Sequence, residues 1–351
     1  MKLFTGLSLG RTILLAVGIF LALFPAFSAN SQEKLQTLYE AAKKDKEVIW
    51  QWESSTKAVK PLIDAFVKRY PDIKLTTLSI GATEIPSRII VEAQTGRLTV
   101  DVGTAGTSYL IPLIDRDLLA KYNWAQMADI DPKTIAYDGR LLNYSGSAFV
   151  FIYNTNLVSK GESPKNMKDI LSPKWKGEKI VVRAAPSGFN YLYPVWKRNK
   201  QEAIDYLTEL AKQQVVPGKR AAEVTDMVAR GEKPLAISSI GSTYDAIKRG
   251  APLALCPIGP AACEPAAFFV PKGGPHPEAA KFLVAWMFSP EGRRGLAESG
   301  FGPIYPPDAS PLAKLMADSG IGFVPIGSPE DIREFTGPFT SAVMKIMKFV
   351  P

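Results

Sequence analysis

Apolar residues in the first third of the chain alternate between two spacings. Glu47–Trp52 is a short apolar run of strand length, and Val59, Leu62, Ile63, Phe66 and Val67 then follow at i, i+3, i+4, i+7 and i+8, one face of a helix. Tyr70-Pro71 stops that helix, because the residue before a proline avoids helical dihedrals. Lys74–Ile80 reads as strand, Ser87–Gln94 as helix with Gly96 as its stop, and Thr99–Gly103 as strand. A long apolar segment, SGSAFVFIYNTNLV, occupies the middle of the chain. The alternation then resumes with strand Lys179–Arg183, helices across Tyr191–Gln213 and Ala221–Arg230, strand Leu235–Ser239 and helix Ser242–Lys248. A second apolar segment, PAAFFVPKGG, precedes the helices PEAAKFLVAWMF and PEGRRGLAES. Repeated βα units predict an α/β fold with mostly parallel sheets flanked by helices. Two such groups bounded by two long apolar strands predict two lobes joined by two crossings.

The N-terminus changes this picture. Lys2 and Arg11 precede the 12-residue apolar run Ile13–Phe24, and Pro25, Ala26, Phe27, Ser28 and Ala29 come directly after it. Basic, apolar, then small residues are the order of a secretory signal peptide, expected over residues 1–29. The run is well short of the ~20 residues that a spanning helix needs. The chain beyond residue 29 exceeds one comfortable core, which also favours two domains. The formal net charge is +8, and removing the leader takes away Lys2 and Arg11 and no acid. The remaining basic residues are interleaved with acids, as in KKDKE, so the clustered footprint of a nucleic-acid binder is missing. Cys256 and Cys263 lie close together in LCPIGPAACEP, and an oxidising compartment favours one local disulfide between them. The single histidine, His276, stands between two prolines, which leaves few ligands for a zinc site.

The phrases FVFIYNTNLV, SPKWKGEKIVV, ARGEKPLAIS, RGAPL and, above all, PHPEAAKFLVAWMFSPEGRRGLAESG resemble the extracellular solute-binding proteins of ABC importers, in the cluster of ferric-ion, polyamine and phosphonate binders. The resemblance covers most of the chain beyond the leader. It implies a two-lobed, type II periplasmic-binding-protein-like fold with the ligand cleft between lobes, no cofactor and no catalysis. It also implies a monomer in the periplasm, whose partners are a small-molecule ligand and a membrane permease. By that topology lobe 1 would be 30–144 plus 266–310, and lobe 2 would be 145–265 plus 311–351.

Ligands of open α/β sheets bind beyond the carboxyl ends of the strands, so four turns are candidates. In WQWESST, Trp52, Glu53, Ser54 and Ser55 could face a ligand, although serines there also serve as helix caps. In GTAGTS, glycine lets backbone amides approach a ligand, which nominates Thr104, Gly106, Thr107 and Ser108. In VVRAAPSGFNYLY, Arg183 beside the amides of Ser187 and Gly188 suits an anion, with Tyr191 next along the chain. In SSIGSTYD, Ser242 and Asp245 fit a capping box, and Tyr244 remains for ligand.

The expected ligand is a small organic anion, a carboxylate or phosphonate. The alternative is ferric iron held by Glu53, Tyr244 and Asp245, although the adjacent tyrosines that iron-binding relatives use are missing at Thr243-Tyr244-Asp245. An exported hydrolase is the reading of another class, and neither HExxH nor GxSxG is present to support it.

Overall fold

The computed structural model describes residues 29–53, 56–57, 59–81, 84–299 and 310–348. The expected leader, apart from Ala29, therefore lies outside the described residues, as do Ser54 and Ser55. Among the described residues eleven strands are formed: β1 Glu47–Trp52, β2 Lys74–Ser79, β3 Val102–Gly106, β4 Ile135–Ala136, β5 Leu141–Asn154, β6 Ile180–Arg183, β7 Val216–Gly218, β8 Leu235–Ser239, β9 Leu253–Leu255, β10 Ala261–Phe269 and β11 Phe323–Pro325. They order as β2-β1-β3-β10-β5-β8-β6-β7, with β4 and β9 on β5 and β11 on β10. Around β1 the pairing with β2 and β3 is parallel, as it is for β6 with β7 and β8.

Two strands link the halves. The first part of β5 pairs antiparallel with β10, and its last part, Phe149–Tyr153, pairs with β8. β10 in turn sits between β3 and β5. Alternation along β5 sends Phe149, Phe151 and Tyr153 into one apolar cluster and Ala148, Val150 and Ile152 into another.

In the first half the helices are α1 Ala29–Ala42, α2 Lys60–Arg69, α3 Ile85–Gln94, α4 Thr107–Asp115 and α5 Trp124–Ala128. In the second they are α6 Met167–Ile170, α7 Tyr193–Arg198, α8 Lys200–Ala211, α9 Ala221–Ala229 and α10 Ile240–Lys248. α11 Pro277–Met287 and α12 Pro290–Glu298 return to the first half. There Phe282 and Trp286 of α11 join Val48, Trp50, Trp52 and Phe66 in one core. α13 Pro311–Asp318, α14 Pro329–Glu334 and α15 Thr340–Met347 supply Met316, Ile332 and Val343 to the cores of the second half.

Three local expectations are revised, and one helix is new. β3 starts three residues later than the apolar pattern suggested, because Asp101 is used as an anchor. Its buried carboxylate accepts from the Ile49 amide at 2.8 Å and the His276 amide at 2.7 Å. Consequently Thr104 and Gly106 are strand residues and α4 begins at once at Thr107. The Ser242–Asp245 capping box is absent. α10 starts earlier, and Ser239 is its N-cap, accepting from the Ser242 amide at 3.2 Å. The expected disulfide is not formed either: Cys256 and Cys263 are free and buried. They sit in different apolar clusters on opposite faces of the sheet, one with Phe149 and the other with Ala148. Finally, α1 was not expected.

Candidate functional site

The carboxyl ends of β1 and β3 converge on the crossing strands. Glu53, immediately after β1, accepts a hydrogen bond through Oε2 from the Gly106 amide at 3.1 Å, and through Oε1 from the Tyr144 hydroxyl at 3.2 Å. Tyr144 can reach it because β5 bulges there: Ser145 pairs with Ala266 and Asn143 with Ala267, leaving Tyr144 unpaired in the ladder. Glu264 lies opposite Ser147 on β10. Its Oε1 accepts from the Ser108 amide at 3.3 Å and from the Ser108 hydroxyl. Both carboxylates therefore sit at the N-terminal end of α4, where the helix dipole favours negative charge. Gly106 eases this approach, since a Cβ there would stand a tight 3.1 Å from Glu264 Oε1 and 3.4 Å from the Tyr109 ring.

Burial pushes the Glu53 carboxyl above its ordinary range against the hydrogen bonds from Tyr144 and Gly106, and the nearby charge of Glu264 adds to the rise. Glu264 is likewise raised by burial, which outweighs the bonds from Ser108. The Tyr109 phenol is raised chiefly by burial, then by Glu264 and Glu53, while Arg183 acts in the opposite direction. Tyr109 thus feels charges from both halves of the molecule, and its side of the site stays open, with the residue 41% exposed.

The second half contributes Arg183 at the end of β6. Its guanidinium lies over the Phe149 ring, 5.9 Å from the centroid. Its Nε is buried with no hydrogen-bond partner, and Arg183 forms no ion pair among the described residues. Gly188 packs against the Arg183 carbonyl, which a Cβ would approach to 2.8 Å. The adjoining 3₁₀ turn, Pro186–Leu192, is tied down by Asn190, which accepts from the Phe149 amide at 3.1 Å and donates to Ser147 O at 3.4 Å.

Glu53, Gly106 and Ser108 are thus brought together around Glu264 and Tyr109, and Arg183 lies near enough to act on the Tyr109 phenol. The other nominated residues are placed elsewhere or are already engaged. Trp52 is buried against Trp50 and Tyr144, with ring centroids 5.2 Å and 5.9 Å away. Thr104 donates to Gln51 O and Thr107 to Pro265 O, so both hydroxyls lock strand ends. The Gly188 amide donates to Ala185 O at 2.9 Å, which removes it as an anion donor. Ser187 is half-buried on the same turn. Tyr191 is 5% exposed and packs edge-on against Phe151 at 4.6 Å, inside the second half's core. Tyr244 is half-buried and Asp245 exposed on α10, and no hydrogen bond among the described residues joins either to Glu53. Among the described residues there is no group of three His, Cys, Asp or Glu side chains arranged to hold a metal ion.

Sequence reasoning missed Glu264, Tyr109 and Tyr144. Glu264 had a signal, since it is the one charge in the apolar run AACEPAAFFV. A pocket of about 270 Å³ lined by Asp101, Tyr122, Lys272 and Gly274 lies at the other end of β3 and takes no part in this cleft.

A family model described as bacterial extracellular solute-binding protein matches residues 61–319. The chain belongs to this family. The solute-binding protein is 28% identical over 185 residues to an Fe(3+)-binding periplasmic protein of Serratia marcescens, which covers 52% of this chain and 49% of the relative. It therefore spans about half the length of the curated relative it matches. Its structure is similar to iron-bound HitA from Pseudomonas aeruginosa, with a TM-score of 0.69 and 21% identity over 86% of this chain and 99% of the other. It is also similar to AfuA from Actinobacillus pleuropneumoniae with fructose-6-phosphate bound, with a TM-score of 0.63 and 18% identity over 87% and 99% of the two chains. These likenesses give the solute-binding protein the two-lobed periplasmic-binding-protein fold, and its family is one of binding proteins rather than enzymes.

Proposed function

We propose that this solute-binding protein captures a small polar organic ligand in the cleft lined by Glu53, Ser108 and Tyr109 of one lobe, by Glu264 on the crossing strand β10, and by Arg183 of the other lobe. In this reading lobe 1 is 30–144 with 266–310, lobe 2 is 145–265 with 311–351, and β5 and β10 are the crossings about which they close. Residues 1–29 are a cleaved leader, and the monomeric protein works in the periplasm and delivers its ligand to an ABC permease. What supports the reading is that half-buried groups of opposite sign, Glu53 and Arg183 from the two halves and Glu264 from β10, all act on Tyr109 and form no ion pair among the described residues. Arg183 would take an acid group of the ligand as a charge-assisted, bidentate contact. Native mass spectrometry of freshly purified protein is expected to show an adduct of small-molecule mass that is lost on denaturation. An adduct-free protein whose melting point no small metabolite raises would overturn the reading, since a ligand that binds only the native state must raise it.

A second reading has its own support. The Serratia marcescens relative is a ferric-ion binder, and Glu53, Glu264, Tyr109 and Tyr144 are four oxygen donors near one another. Ferric iron on a tyrosinate gives a visible charge-transfer band. Ferric citrate added to the ligand-free protein is expected to leave it colourless, and a coloured complex would move the assignment to iron.

A further inference from the structure

Two carboxyl groups and one guanidinium face the proposed cleft, Glu53 and Arg183 from different halves and Glu264 from the crossing strand β10. Glu264 spends only Oε1 on Ser108; its Oε2 receives no hydrogen bond among the described residues. Neither Glu53 nor Glu264 has an ion pair among the described residues, although Lys and Arg side chains elsewhere on the molecule pair freely with acids. Arg183 is close enough to act on Tyr109, yet it stacks on Phe149 and makes no salt bridge with Glu264. Half-buried charges of this kind are costly unless something supplies their counter-charges. A purely anionic ligand would satisfy Arg183 and be repelled by Glu264 and Glu53. A purely cationic one would satisfy the carboxylates and leave Arg183 without a partner.

We infer that the ligand is a small zwitterion, with an ammonium group at Glu264 Oε2 and Glu53 and an acid group, separated from it along the molecule, at Arg183. The inference rests on the solute-receptor reading above and narrows its ligand class. Tyr109, exposed and near enough to Glu264, Glu53 and Arg183 to feel their charges, supplies an aromatic wall for the linking carbons and a ring face for the ammonium.

Three five-carbon probes test this on the unmodified protein: 5-aminovalerate, glutarate and cadaverine, each measured by thermal shift and calorimetric titration. The amino acid is expected to bind about tenfold or more tightly than either the dicarboxylate or the diamine, because each of those leaves a charged group unpaired. Glu264→Gln should erase the preference over glutarate, and Arg183→Gln the preference over cadaverine. The two variants thereby fail in opposite directions, which a general loss of structure would not produce. Tightest binding of glutarate or of cadaverine overturns the zwitterion inference and leaves the receptor reading standing. Absence of a saturable shift with all three probes also overturns it, and the receptor reading is then decided separately by the native-mass adduct.

Discussion

At the scale of single residues, the two cleft carboxylates set a pH dependence whose sign is fixed by their environment. Burial raises both above the ordinary carboxyl value of 4.5, so the folded state holds their protons more tightly than the unfolded chain does. They favour folding at low pH and oppose it increasingly as pH rises from 4.5 through the raised native values. Glu264→Gln keeps an acceptor for both bonds from Ser108 and removes the buried charge. At neutral pH the ligand-free variant is expected to be more stable than the parent by ~1 kcal/mol, with a flatter stability curve across the acid range. Calorimetry over pH decides it, and a lower melting point at neutral pH would show that the carboxylate is not held at a cost. Glu53 was legible in the sequence because it comes directly after a clean apolar strand. Glu264 stood out only as a lone charge in an apolar strand, and its role was not legible because the group that explains it, Ser108, is 156 residues away.

At the scale of elements, period-2 and period-3.6 patterns identified β1, β2, β6 and β8 and the helices α2, α3 and α8 to α12, but not α1 or α4, and the ends were set by tertiary partners. β3 slipped by three residues because Asp101 serves Ile49 and His276, a role invisible in an apolar pattern. α10 begins at Ile240 because β8 delivers Ser239 in cap geometry, and neighbouring serines gave no way to choose between Ser239 and Ser242. α1 carried a usable signal, with Leu35, Leu38, Tyr39 and Ala42 at helical spacing against the core. The cysteines show the limit of proximity in sequence, since strand alternation sends them to opposite faces of the sheet. Burial holds the Cys256 thiol at about 12 and pushes Cys263 up as well, so neither is a thiolate at mildly alkaline pH. Ellman's reagent is expected to find no reactive thiol in the native protein and two in concentrated guanidinium chloride without reductant. No thiol after unfolding would restore the bridge.

At the scale of the whole molecule, the first half is discontinuous in sequence. β10 lies between β3 and β5, and α11 covers β1 with Phe282 and Trp286. A chain ending at Glu264 would lack the β10 segment that pairs with β3, together with all of α11 and α12. Such a chain is expected to lack a cooperative melting transition for the first half, as read by the near-ultraviolet signal of Trp50 and Trp52. A native-like tryptophan spectrum would contradict it. The ion pair joining Arg333 of α14 to Asp115 of α4, at 2.7 Å, is solvent-exposed and adds little to this union.

Interposing β10 between β3 and β5 also has a consequence in time. Trp50 and Trp52 leave the ribosome long before the strand and helix that complete their core. At synthesis rates of about 5–20 residues per second, the nascent first half waits on the order of ten seconds or more without its partners. A polypeptide that cannot close its first core until its last third is made leaves the apolar faces of β1 and α2 uncovered throughout that interval. The strand order that sets β10 between β3 and β5 thus also delays completion of the first core until late in synthesis.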